Sequence, residues 1–481
     1  MARGSTEHEF MMKSIFLVNA ISGQGHLDSY ARLYSRALLE LGHRVVLVAA
    51  TDGGTADYLA RNEIDRTHYS FVAFSEASSP RPLVDGTRGQ LPLRARAKLV
   101  WREEGALGIL RRLIRVPVRI GKRLIPESAR LQWRMLKRTA FVYLSQFRAM
   151  QALRRVLFPD AGRLLFTTMT RYVQNAVALQ GGERPDLVFF LYLDMMAEGP
   201  INIAALDAPD HGPWAGIRFH PRLRESPAAR IERYFESRNA RGGVFLVPEA
   251  DKIYAKAMPG LKFLLAPDVA DLELAAQLPS VAKEIRSRAA DRTIILQVGT
   301  IAPHKGIMML LDVIAKADPQ RFFFALVGEV YWPSFGDDEP KLRNFYAQPP
   351  ENVFTYDRYM AEERDYNSLV AACDVVYAVY AGFNSSSNSL TKAAGLRRPI
   401  LAAKNSLMGE RVVAHHIGLA AANDNVQEII AALERLAAIK DDGLSFNEYA
   451  DRHSLGELKS VLAKGLSLWL AEPGTSRSPT G

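Results

Sequence analysis

Apolar residues fall into short unbroken runs, separated by longer stretches in which they recur every three or four positions. Residues 14–18 (SIFLV) form one such run. Leu27, Tyr30, Ala31, Leu33, Tyr34, Ala37 and Leu41 then repeat at helical spacing up to Gly42, and a second run follows at 44–50 (RVVLVAA). Short apolar runs bounded by turn residues predict strands, and the periodic interval between them predicts a helix with glycine at its stop. The stretch 19–26 between strand and helix is a glycine-bearing loop that holds Gly23, Gly25 and His26. Further strands are expected at 187–193 (LVFFLYL), 216–220 (GIRFH) and 244–247 (VFLV). A second series is expected at 293–298, 322–327, 353–356, 375–377 and 400–402.

Strands that alternate with helices predict parallel sheets, because a parallel neighbour is reached only through a crossover. The chain has 481 residues, and a single core stops growing at roughly 250 to 300. Two α/β domains are therefore expected, at 11–278 and 293–456, joined by a connector at 279–292. A last helix at 457–470 is expected to pack back on the first domain, within a segment that runs to 472. Residues 1–10 (MARGSTEHEF) read as an appended leader, and 473–481 as a disordered tail. Two doubly wound sheets facing each other leave a central cleft at the carboxyl ends of their strands, where such folds bind ligands.

Hydrophobic residues make up 48% and charged residues 23% of the chain, which excludes a disordered or low-complexity protein. The single cysteine, Cys373, excludes a disulfide scaffold and, set in an apolar run, reads as a small core residue of a reducing compartment. No window approaches the roughly 20 apolar residues of a spanning helix, and the first ten lack a signal-peptide core, so a cytoplasmic location is expected.

The net charge of +9 is unevenly placed. Residues 88–155 hold eighteen Lys or Arg against three Glu, an excess of fifteen, so the rest of the chain is net −6. Wound as a helix, 109–124 puts Leu110, Leu113, Ile114, Pro117, Ile120 and Leu124 on one side. Arg111, Arg112, Arg115, Arg119, Lys122 and Arg123 fall on the other. Pro117 would kink it into two shorter pieces that keep both faces. Three readings stay open: docking on an anionic membrane surface, which is favoured; a surface helix whose apolar face is core; and nucleic-acid binding. The last is disfavoured because no reading module accompanies the charge.

Residues 295–311 (ILQVGTIAPHKGIMMLL) resemble the start of the donor domain of GT-B glycosyltransferases, most like the retaining family 4 enzymes. Residues 325–329 (ALVGE) resemble the next strand and its glycine turn, and 352–374 the nucleobase loop with the helix after it. Residues 388–400 (NSLTKAAGLRRPI) resemble the donor-site helix and proline-led strand, and Gly42-His43-Arg44-Val45 with the loop before it resembles the acceptor domain. The resemblance implies two Rossmann-like domains facing a cleft and a nucleotide-sugar donor as substrate; no cofactor or metal is expected. It places Gly299, Thr300, Lys305, Tyr356, Ser389, Leu390 and Lys392 at the donor, His220 and Asn384 at the reacting sugar, and Gly23, Gly25 and His26 at the acceptor. Asp194 and Glu198 follow the strand 187–193 at a cleft edge, and either carboxylate could orient an acceptor hydroxyl.

A diphosphate leaving group gathers negative charge, which cations and the N–H groups of a helix start can hold. Lys305 is the obvious cation, with the N–H groups around 386–390. The family carries Arg where Thr300 stands, and two glutamates, the second binding ribose, where Asn384 and Lys392 stand. Lys392 cannot accept a hydrogen bond. It is either a second phosphate ligand, the favoured reading, or the mark of a weakened donor site. A strand-end His220 facing the cleft suits electrostatic support of an oxocarbenium-like centre. No Asp-x-Asp element or ligand-spaced His/Cys cluster points to a metal.

The function expected is a peripheral glycosyltransferase on the inner membrane face that moves a sugar to a lipid-linked or membrane-embedded acceptor in cell-surface glycan synthesis. A catalytically silent binding protein of the same fold, or a nucleotide-sugar epimerase, are the alternatives.

Overall fold

The structure, a computed structural model, describes residues 12–19, 26–73, 161–196, 203–221, 232–383, 385–439 and 443–471. Two compact units are present. Met1–Ala73, Tyr172–Asp194 and Ile203–Gly481 form one, and Phe74–Arg171 with Met195–Asn202 the other. Of the smaller unit, the described residues are 161–171, which are helical, and 195–196. The basic segment 88–155 lies outside the described residues.

The larger unit holds two parallel sheets. The first contains β1 (Ser14–Asn19), β2 (Arg44–Ala49), β3 (Tyr69–Ala73), β4 (Leu187–Phe190), β5 (Trp214–Arg218), β6 (Gly242–Phe245) and β7 (Lys262–Leu265), in the order β3-β2-β1-β4-β5-β6-β7. The second contains β8 (Thr293–Val298), β9 (Phe322–Val327), β10 (Val353–Tyr356), β11 (Val375–Ala378), β12 (Ile400–Ala403) and β13 (Gly418–Ala421), in the order β10-β9-β8-β11-β12-β13. The winding reverses between β1 and β4 in one lobe and between β8 and β11 in the other. Those two points are where doubly wound sheets open a crevice.

Seven helices matter for the site: α1 (His26–Glu40), α2 (Ser280–Ala289), α3 (Ile307–Ile314), α4 (Glu363–Ala372), α5 (Asn388–Gly395), α6 (Leu407–Ala414) and α7 (Leu455–Trp469). Side chains alternate across β8 and β9 as the pleat requires. Ile294, Leu296 and Val298 join Phe323, Ala325 and Val327 in one core. Ile295 joins Phe322, Phe324 and Leu326 in the other. Both faces of the sheet are covered, which is why FFFALV reads as unbroken apolar sequence.

Several boundaries depart from expectation for identifiable reasons. The connector 279–292 is mostly α2, whose Ala282, Ile285 and Ala289 are buried in the same core as Ile294, so it belongs to the second lobe. Strand β5 stops at Arg218 and not at 220, because the N–H groups of Phe219 and His220 leave the ladder and donate to Asp194 at 2.8 and 2.7 Å. Strand β4 stops at Phe190, and Leu193–Met196 forms a tight helical turn. Edge strand β3 has no clean apolar run to announce it, since only Val72 of YSFVA is buried. Helix α7 packs on the first lobe: Trp469 Nε1 donates to Lys262 O at 2.9 Å, and its ring stands 5.8 Å from that of Phe189.

Candidate functional site

At the winding reversal of the second sheet, a cavity of about 300 Å³ opens beyond the strand ends. Val298, Gly299 and Thr300 leave β8 along one wall, and Val327, Gly328 and Glu329 leave β9 along the next. Gly299 and Gly328 let the two exits cross closely. Gly328 has φ 144°, and a Cβ there would stand 2.0 Å from Gly299 O. The remaining wall is formed by His304 and Lys305, by Tyr359, Met360, Glu363 and Tyr366, and by Ser387, Asn388, Ser389 and Lys392.

Lys305 is placed by backbone. It ends a tight turn, Pro303–Lys305, and Gly306 (φ 68°) then opens α3. A Cβ at Gly306 would stand 2.2 Å from Val379 O, so only glycine brings the turn this close to β11. The Lys305 ammonium donates to Tyr380 Oη at 2.8 Å and lies 4.1 Å from that ring's centroid. Burial disfavours the Tyr380 phenolate, yet Lys305, with the Ser389 and Ser387 hydroxyls, outweighs it and draws the phenol below its ordinary value. His304 is held below its ordinary value by burial and by neighbouring Lys305.

Helix α5 starts on the cavity. Its N-cap, Ser387, makes no side-chain bond back to the helix. The serine run before it is pinned from the first lobe. Ser386 donates to Asp268, Arg411 on α6 donates to Ser386 Oγ at 2.6 Å and to Leu246 O at 2.7 Å, and Asn388 donates to Val269 O at 3.2 Å. A cation and a helix start on one small cavity are the groups that can hold an anion.

Lys392, one turn further along α5, is 1% exposed. Its ammonium meets three acceptors: the Glu363 carboxylate, Asn367 Oδ1 at 2.5 Å and Asp271 O at 3.2 Å. An ammonium has three donors, so all are engaged, whereas the sequence favoured a grip on phosphate. Burial pulls the group below its ordinary value, against the attraction of Glu363. Arg32 on α1 completes the set, 3.4 Å from Glu363 Oε2 and 3.5 Å from Asp271 Oδ2.

Of the residues expected at the donor, the cavity gathers Gly299, Thr300, Lys305, Ser389 and Lys392. Leu390 is fully buried in the core, and Tyr356 ends β10 away from the cavity wall. His220 stands just past β5, exposed, with Nδ1 2.9 Å from Ser385 Oγ. Asp194 fixes that turn: besides the two N–H groups it engages Arg218, whose Nε donates to Glu232 at 2.8 Å. Burial works against the Arg218 charge, but Asp194 and Glu232 hold the guanidinium above its ordinary value. Gly23, Gly25, Asn384, Glu198 and the six basic residues Arg111, Arg112, Arg115, Arg119, Lys122 and Arg123 lie outside the described residues. So does the side chain of His26, which begins α1.

Sequence reasoning missed Glu363, Tyr366 and Asn367, which share one face of α4 at i, i+3 and i+4. A lysine where a carboxylate was expected, with a Glu on the adjoining helix, was the available signal. It also missed Tyr380. Among the described residues, no helix is long and apolar enough to cross a membrane, and no group of three or more His, Cys, Asp or Glu stands ready to hold a metal.

Neither a protein-family model nor a curated protein sequence matches the chain. Solved structures do. Anabaena Alr3699/HepE, in complex with UDP and glucose, superposes with a TM-score of 0.55 at 16% identity over 95% of this chain and 99% of that one. A glycosyltransferase from Rickettsia africae ESF-5 gives 0.55 at 11% identity, covering 96% and 100%. A putative UDP-N-acetylglucosamine 2-epimerase from Listeria monocytogenes gives 0.51 at 8%, covering 96% and 98%.

The fold is GT-B. In GT-B terms the cavity belongs to the second, carboxyl-terminal sheet, and His220 stands at the strand ends of the first.

Proposed function

We propose that this GT-B protein is a glycosyltransferase that takes its sugar from a nucleotide-sugar donor, bound in the second-lobe cavity. One observation carries the proposal: Lys305 and the start of α5 face the same 300 Å³ space at the winding reversal. That pairing suits a diphosphate, whose charge grows as the bond from the sugar C1 to the phosphate oxygen breaks. The UDP and glucose in the HepE structure support the same ligand class. His220, tied to Ser385 at the approach to α5, supports the reacting sugar from the first-lobe side.

Transfer proceeds with retention at C1 and without a metal, and the acceptor is lipid-linked or membrane-embedded. The basic, amphipathic 88–155 segment supports the acceptor class, because an excess of fifteen cations suits an anionic bilayer. Incubation with a panel of nucleotide sugars and a membrane lipid extract, with chelator present, tests the reaction. Sugar appearing in the lipid fraction with the donor's anomeric configuration is expected. Epimerised nucleotide sugar without transfer would replace the transferase reading with the epimerase one. Co-sedimentation with anionic vesicles should be strong at low salt and fall steeply as salt rises. Equal binding to neutral vesicles would reject the electrostatic footprint.

A further inference from the structure

Two lysines line the cavity, and they are held differently. Lys392 is buried, and its charge is matched by the Glu363 carboxylate. Lys305 pairs with no carboxylate among the described residues; its ammonium donates to a phenol, Tyr380 Oη, at 2.8 Å and lies 4.1 Å from the centre of the same ring. A lysine stem is flexible and loses rotamer entropy when its ammonium is pinned, whereas the phenol is already fixed. Tyr380 is 3% exposed and packs in the core that holds Val298 and Leu390. Its carbonyl accepts from Asn423 Nδ2 at 3.2 Å, and the N–H of Ala381 donates to His304 O at 2.8 Å. The ring stands 5.6 Å from that of Phe383 and 6.5 Å from that of His304. The backbone that carries the phenol is therefore tied to the turn that carries Lys305.

A neutral partner suits a cation that must meet an anion. A carboxylate would pin the ammonium and cancel its charge; a phenol accepts through a lone pair and leaves the charge in place. We infer that Tyr380 is the positioning residue for Lys305, holding the ammonium on the cavity in advance and leaving its full charge for the diphosphate, an inference that rests on the nucleotide-sugar reading above. The hold depends on a neutral phenol, because a phenolate would pair with the ammonium as a carboxylate does. Ser387 and Ser389 face the hydroxyl from α5, and Tyr366 on α4, which burial keeps protonated, stands with its Oη 3.4 Å from Ser389 Oγ. Burial opposes ionisation of Tyr380, but Lys305 and the two serine hydroxyls outweigh it and bring the phenol below its ordinary value. His304, on the same turn as Lys305, is pulled below its own by burial and by that lysine, so it is neutral in alkaline solution. Donor affinity is therefore complete while the phenol is neutral and falls as pH rises through its ionisation.

The test is a double-mutant cycle in calorimetric binding, on the full chain, of its best ligand among UDP, ADP and GDP. Tyr380→Phe keeps the ring and removes the hydroxyl, and is expected to weaken binding roughly three- to tenfold, as for one hydrogen bond. In the Lys305→Ala background the same change should alter affinity less than about twofold, because the hydroxyl acts only through the ammonium. Between about pH 7.5 and 9.5, above the ordinary histidine range and below that of lysine, wild-type affinity should fall more steeply than that of Tyr380→Phe. Equal losses in both backgrounds would make Tyr380 a merely structural residue. That result, wild-type affinity in Tyr380→Phe, or parallel pH curves would each overturn the assignment, and would leave the donor reading intact as long as Lys305→Ala binds more weakly than wild type. Should Tyr380→Phe not fold, a wild-type affinity that stays level over the same pH range overturns it. No binding of any nucleoside diphosphate to wild type would overturn both readings.

Discussion

Under the strand ends of the first lobe, Arg218 is held between Asp194 and Glu232; beside the cavity of the second, Lys392 is held by Glu363, with Arg32 and Asp271 adjoining. Both clusters bury cations against carboxylates. They differ in where the carboxylates lead. Asp194 also takes the N–H groups of Phe219 and His220, so the first cluster sets a backbone turn and through it the position of the His220 ring. Glu363 stands on a cavity wall, so the second cluster presents a side chain to the cavity. Burying an ion pair is weak evidence for stability in itself. What each cluster does is fixed by its remaining neighbours.

Breaking the two clusters should separate them. Arg218→Met strands the buried Glu232 and the half-buried Asp194 and is expected to cost about 3–5 kcal/mol in a urea melt. Lys392→Met leaves Glu363 beside Arg32, so a smaller loss is expected, about 1–3 kcal/mol. Equal losses would erase the distinction between a closed and an open cluster.

A third, smaller effect tests how the serine run is held. His453 accepts from Asp268 N at 3.0 Å, and Asp268 in turn takes Ser386. Burial, with Arg411 and His415 nearby, pushes the His453 imidazole down to about 3 from an ordinary 6.5. The neutral ring is the form the fold prefers. Its contribution is therefore complete above pH 6.5 and is lost as pH falls towards 3, at no more than about 1.4 kcal/mol per pH unit and less for a ring that keeps some solvent contact. His453→Gln should flatten the fall in stability between pH 6 and 4 relative to wild type. Parallel pH curves for the two proteins would show that the ring is not the titrating group.

The sheets of the second lobe were legible in the sequence because both faces are buried. Runs such as TIILQV and FFFALV read as strands buried on both faces, and Gly299 and Gly306 mark turns at positive φ that glycine makes most readily. The first lobe was harder to read. Its β5 ends where a side chain, Asp194, captures two N–H groups, an event that hydrophobic pattern does not encode. Half-exposed edge strands such as β3 carry no full apolar run. At the site, residues on one helix were visible together, but the partner of Lys392 was not. Glu363 lies 29 positions away and is brought there by packing of α4 on α5.

The proposed function places a diphosphate on Lys305 in the second-lobe cavity. The direct measurement is calorimetric affinity of the chain's best nucleoside diphosphate for wild type and Lys305→Ala, with thermal melts of both. The variant is expected to bind roughly ten- to a hundredfold more weakly, as for a lost charged hydrogen bond, with its melting temperature nearly unchanged. Equal affinity in the two folded proteins would contradict the placement of the site.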